Sequence, residues 1–348
     1  MGKNPAAILI MSVEIVMPIL GHGVSLAMLY LARQRLLGQV ARTPLIRSSA
    51  LSARFDAEIL LKLETLQPTG AFKLRGATNM IAALIERHGR DALQTGVTTA
   101  STGNHGRAVA HAAARLGVPA VICLSRLVPE NKVAAIEALG AEVHRVGRSQ
   151  DEAFKEVVRL VDEEGMSLIP PFDDVLIAAG QGTIGLELME DAPDLDRVVV
   201  GLSGGGLLGG IGAAVKAIRP ATRITGVSLS RGAAMWESLQ AGRPVEVEEV
   251  ESLADSLGGG IGLDNRCTLA LVREVMDDHV QVSEVAIAGA MVDIFADEKL
   301  LVEGAAAVGL AAIAEHELDV RGQTVALILS GNGVSLETFD HARALAGR

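Results

Sequence analysis

Glu58-Ile-Leu-Leu-Lys-Leu-Glu-Thr-Leu-Gln-Pro-Thr-Gly-Ala-Phe-Lys73-Leu-Arg-Gly-Ala77 reads as a buried strand, a turn and the start of a helix. Residues 58–63 are aliphatic at most positions, as strands are when helices cover both faces of their sheet. Pro68 and Gly70 mark the turn, and residues 72–88 carry helical periodicity. Lys73 falls in the first helical turn, where the peptide dipoles favour anions and disfavour an ammonium. Its neighbours Ala71, Phe72, Leu74, Gly76 and Ala77 are small or apolar, a close-packed setting in which an unpaired charge is costly. Most lysines are solvated surface residues. These flanks argue instead for an amine held toward its neutral form, able to act as a nucleophile or a base.

Outward from this unit the same alternation repeats. Further strands are expected at 96–100, 120–124, 142–146, 197–202, 223–228 and 325–329, and helices at 24–38, 104–116, 150–164, 207–218, 285–295 and 305–316. Strands alternating with helices imply a parallel sheet with crossover helices. Open sheets of this kind take their ligands beyond the carboxyl ends of the strands. With 49% hydrophobic and only 2% aromatic residues, the core has to be built from small aliphatic side chains.

The formal net charge of -11, with no long basic run, argues against nucleic acid or an acidic membrane as a partner. Cys123 and Cys267 lack metal-ligand or redox spacing, which suits a reducing, cytoplasmic setting. Residues 6–20 are mostly apolar, but Glu14 and Pro18 interrupt them and Lys3 is their only basic flank. The run is too short for a bilayer and lacks a clean cleavage site, so residues 1–23 are expected to be an accessory extension or to precede the natural start.

Three more turns share the character of the lysine segment. Ser101-Thr-Gly-Asn-His-Gly106 links an apolar strand to a helix of small residues and offers hydroxyls, free amides and the Asn104 amide to an anion such as a carboxylate. Ordinary capping by Ser101 or Asn104 would explain that loop taken alone, and His105 by itself reads as structural or partly exposed. Ser203-Gly-Gly-Gly-Leu207 follows the strand at 197–202, and its three glycines let backbone amides converge on a phosphate. A dinucleotide fingerprint is the rival, but residues 222–228 carry no acid to bind a ribose, and no Walker Gly-Lys-Ser or Gly-Lys-Thr occurs. Leu329-Ser-Gly-Asn-Gly333 ends the last strand and presents Ser330 to the same region.

In order and spacing these four turns resemble those of the serine and threonine dehydratase family of pyridoxal-phosphate enzymes, and the match runs from about Val24 to the C-terminus. The resemblance implies an α/β fold similar to the tryptophan synthase β subunit (PLP fold type II), with two open doubly wound α/β domains. The larger would hold residues 24–95 and 173–348, and the smaller, residues 96–172, would carry the Asn104 loop. It implies that Lys73 carries pyridoxal 5'-phosphate as a Schiff base, with Phe72 against the ring and Asn104 on its phenolic oxygen. Ser203, Gly204, Gly205, Gly206 and Leu207 would cradle the phosphate, and Ser330 would face the pyridine nitrogen. The substrate carboxylate would rest on Ser101, Thr102, Gly103, Asn104 and His105.

The activity implied is dehydration and deamination of a small 3-hydroxy amino acid to a 2-oxo acid and ammonia; a homodimer is implied as well, and no regulatory domain is expected after Arg348. Stretches 227–242, 251–265 and 302–309 look most like the hydroxyectoine utilization dehydratase branch. Two departures bear on this. Ser203 stands where many relatives have a fourth glycine, and its hydroxyl can still donate to phosphate. Thr102 stands where racemases of the family have a second serine, so racemisation is expected to be secondary. No metal is expected, because residues 226–236 offer Ser228 and Ala234 where the racemase branch has acidic ligands. β-Replacement on the same scaffold and a non-catalytic amino-acid or vitamer binder are the alternatives.

Overall fold

The structure is a computed structural model that describes residues 23–348. The expectation for residues 1–23 therefore lies outside the described residues except at Gly23. Among the described residues ten strands form two sheets: β1 (Leu45–Arg47), β2 (Glu58–Leu63), β3 (Val97–Ala100), β4 (Ala120–Leu124), β5 (Glu142–Arg145), β6 (Ser167–Leu168), β7 (Arg197–Gly201), β8 (Arg223–Leu229), β9 (Asp278–Val282) and β10 (Thr324–Leu329). One sheet has the order β1-β2-β10-β7-β8-β9 and the other β5-β4-β3-β6. Every pairing is parallel except β1 with β2. The fold class is that expected, α/β in two domains; the sequence reading missed the short edge strands β1 and β6, and β9.

Register sets the site. Leu329 of β10 lies beside Leu63 of β2, so the two strands end level. The chain leaving β2 passes through the 3-10 turn Glu64–Leu66 and comes back beside the chain leaving β10, with Ala71 bridged antiparallel to Gly331. The Phe72 amide then donates to the Ser330 carbonyl oxygen at 3.0 Å, which sets the start of the helix Lys73–His88 beside the end of the last strand. Strand order reverses where β10 meets β2 and β7, the position at which doubly wound sheets open a crevice.

A buried ion cluster fixes the same helix from behind. Arg75 is 1% exposed and donates to both oxygens of Glu64, each at 2.8 Å, and to both oxygens of Glu187, at 2.6 and 2.9 Å. Lys62, fully buried in the middle of β2, donates to Glu187 and to the Thr43 carbonyl oxygen, both at 2.6 Å. Burial works against the Glu64 carboxylate, but Arg75 and the Thr43 hydroxyl hold it below its usual range. Glu187 comes from the helix Val175–Asp191, so the cluster ties that helix, β2 and the lysine helix together. Among the described residues no helix is long and apolar enough to cross a membrane.

Removing one member strands the others in a medium that cannot solvate them. Arg75→Met is therefore expected to lower the unfolding free energy by about 3–5 kcal/mol. Urea unfolding checks it, as a fall in midpoint with the slope retained.

Candidate active site

A cavity of about 310 Å³ opens where the four turns meet. Lys73, the first residue of its helix, lines it together with Phe72, Asn104, His105, Glu303 and Ser330. The amine donates to the Pro171 carbonyl oxygen at 2.7 Å and stands 5.3 Å from the Phe72 ring centre. Burial is the main reason its pKa falls from 10.5 to about 8, and the Glu303 carboxylate only partly opposes that fall. Of the two causes read from the sequence, the helix dipole and the close-packed flanks, burial is the one the geometry supports.

Ser101, Gly103, Asn104 and His105 line the cavity, whereas Thr102 stands outside the lining. His105 is 4% exposed, the structural of the two alternatives read from the sequence. Its Nε2 lies 2.9 Å from the Ile169 carbonyl oxygen. Burial and the nearby Lys73 charge outweigh that bond and hold its pKa at about 3, so the ring is neutral. Asn104 Nδ2 donates to both oxygens of Glu303, at 3.1 and 2.9 Å, and the Gly333 amide donates to one of them at 3.2 Å. Burial raises the Glu303 pKa, with Asn104 working the other way. The sequence reading missed Glu303; the available signal was a lone acid in the apolar run at 300–313.

Ser203, Gly204, Gly205, Gly206 and Leu207 line the opposite wall. Gly205 has φ +83, which a side chain rarely tolerates, and heads the helix Gly206–Ile218 without any side chain capping it. The helix Asn104–Leu116 is likewise uncapped behind Gly103. By contrast Ser25, Ser48, Ser149, Asp174, Ser283 and Ser335 cap their own helices. Two helix starts with free amides thus face one cavity, each suited to an anion. A cofactor with a phosphate and an aldehyde fits this donor set: amides for the dianion, a desolvated amine for the carbonyl and a hydroxyl at Ser330.

The family model described as "Pyridoxal-phosphate dependent enzyme" matches residues 36–331. The chain belongs to that family. A Sinorhizobium fredii protein, provisionally named a threonine dehydratase, is 51% identical over 88% of this chain and 91% of its own. The Thermotoga maritima L-threonine ammonia-lyase is 40% identical over 89% of this chain and 75% of its own. Among solved structures, maize serine racemase superposes with a TM-score of 0.85 at 32% identity, covering 92% of this chain and 97% of that one. The enzyme depends on pyridoxal phosphate, and its class is that of the lyases.

Within this pyridoxal-phosphate enzyme Ser228, one of the two residues read as standing in place of acidic ligands, has a partner of another kind. Ser228 is hydrogen-bonded to His279, whose ring stacks on Trp236 with centres 3.9 Å apart. Among the described residues no group of three or more His, Cys, Asp or Glu is placed to hold a metal ion.

Two outcomes follow from the geometry. In cofactor-free protein, acylation of Lys73 should rise through about pH 8, well below the 10.5 of an ordinary lysine, because only the neutral amine reacts. Mass spectrometry of peptides across a pH series reads this site by site. At Gly204 an added Cβ would stand 2.3 Å from the Phe172 ring, so Gly204→Ala must move the loop. Affinity for pyridoxal 5'-phosphate should then weaken by about tenfold or more, measured by absorbance titration.

Proposed function

We propose that this chain dehydrates and deaminates a small 3-hydroxy amino acid of the serine and threonine type, releasing a 2-oxo acid and ammonia. The observation that carries the reading is the desolvated Lys73 amine, with a pKa of about 8, in one cavity with two uncapped helix starts. The names of the Sinorhizobium and Thermotoga relatives support it.

Pyridoxal 5'-phosphate, when bound, supplies an aldehyde for amino groups and a ring that spreads the charge left by a departing α-proton. Lys73 would anchor it, and its freed Nζ would take that proton. Amides of Ser203 to Leu207 would hold the phosphate, Phe72 would pack against the ring, and Asn104, whose Nδ2 donates to Glu303, would serve the ring oxygen. Ser330 would be a neutral partner for the pyridine nitrogen, a setting that disfavours transamination. Ser101, Gly103, Asn104 and His105 receive the substrate carboxylate at the start of the helix Asn104–Leu116. Thr102, outside the lining, is left a backbone part, which ranks racemisation second.

The same reading assigns residues 96–172 to a small domain that closes over the substrate and excludes water, against 24–95 and 173–348. It takes the enzyme to be a cytoplasmic homodimer. The stretches at 227–242, 251–265 and 302–309 support a role in hydroxyectoine breakdown. Transimination needs a primary amine, so the ring would have to be opened first.

The test is release of 2-oxo acid and ammonia from serine, threonine, 3-hydroxyaspartate and ring-opened hydroxyectoine, without an added nucleophile. Lys73→Ala should lose turnover by about a thousandfold or more. A variant as fast as the parent would overturn the assignment of the base, and silence with all four substrates would favour β-replacement.

A further inference from the structure

The charges around the cavity are one-sided. Lys73 is its single cationic side chain, His105 is neutral, and two carboxylates, Glu303 and Asp255, line it. Asp255 opens the 3-10 turn Asp255–Leu257 and is exposed. Among the described residues its carboxylate makes no hydrogen bond or ion pair, and it lines the same cavity as the buried Glu303. A second cleft, about 540 Å³, shares Asp255 and Gly258 with the first and adds Glu249 and Glu251. No arginine or second lysine lines either space.

Each anion already assigned to the cavity has its own donors: the phosphate has the amides after Ser203, and the substrate carboxylate has those after Ser101. A third anion, carried on the β-carbon, would meet Asp255 and Glu303 with no cation left to pair it. An ammonium at that end would meet two carboxylates.

We infer that the site selects its substrate by charge, taking 3-hydroxy amino acids whose side chain is neutral or ends in an ammonium and rejecting those with a second carboxylate, with Asp255 as the discriminating residue. The inference rests on the dehydratase reading of the site. Unit charges several Å apart in a partly buried setting change binding by about tenfold or more.

The experiment compares kcat/KM of the holoenzyme for threonine, 3-hydroxyaspartate and 2,4-diamino-3-hydroxybutyrate, in the parent, Asp255→Asn and Asp255→Lys. The parent should place 3-hydroxyaspartate last. Asp255→Asn should narrow its disadvantage against threonine by about tenfold, and Asp255→Lys should reverse the order of the two charged substrates. Ratios that stay the same in both variants, or a parent that prefers 3-hydroxyaspartate, would overturn the inference while turnover of threonine leaves the dehydratase reading standing. No 2-oxo acid from any of the three would bring down that reading and this inference together.

Discussion

Two cations only two residues apart in one helical turn, one fully buried and one facing the cavity, are placed in opposite ways, and the site depends on the difference. Arg75 is met on both sides by Glu64 and Glu187 and keeps its charge, its pKa raised by those partners against the pull of burial. Lys73 points the other way, into the cavity, with a carbonyl oxygen rather than a carboxylate as its direct partner. Burial therefore wins, and the amine titrates near pH 8. The guanidinium secures the helix start; the amine, unpaired, is left reactive. Exchanging their surroundings would give a charged, inert lysine and an arginine with nothing to pair it.

Anions are handled by the complementary device. Six helices begin with a serine or aspartate side chain accepting from a first-turn amide. Two of the helices that begin at the cavity, behind Gly103 and Gly205, have no such cap. Their amides are free for a guest and carry the favourable end of the helix dipole. Glycine at these two positions does more than permit a turn, because a serine or aspartate there would supply an internal acceptor in place of the ligand.

Much of this was legible in the chain itself. The β-branched and aliphatic runs at 58–63, 120–124 and 197–202 announced parallel strands, because local propensity and burial agree there, and the turns after the first and last of these line the cavity. What the sequence concealed depends on contacts far apart along the chain. Asn104 and Glu303 are 199 residues apart, and neither neighbourhood alone shows that the amide would face the acid. His105 looked like an ordinary loop residue until the Ile169 carbonyl oxygen and the packing around it made it buried and neutral. Edge strand β1 is three residues long, too short for any period to show.

One short crossing segment brings these contacts together. Pro171 accepts from the Lys73 amine, and Phe172 packs its ring against the position where Gly204 lacks a side chain. Asp173 accepts from the amides of Arg266, Cys267 and Thr268, and so caps the helix Thr268–Val275. Asp174 caps the helix Val175–Asp191, which carries Glu187 of the buried ion cluster. Four consecutive residues thus link the exit from the four-stranded sheet to the amine, the glycine loop and the ions behind the lysine helix. Glycine at 204 is required by this crossing segment whatever the loop binds, since a methyl group there would push Phe172, and with it the neighbouring oxygen that holds the amine.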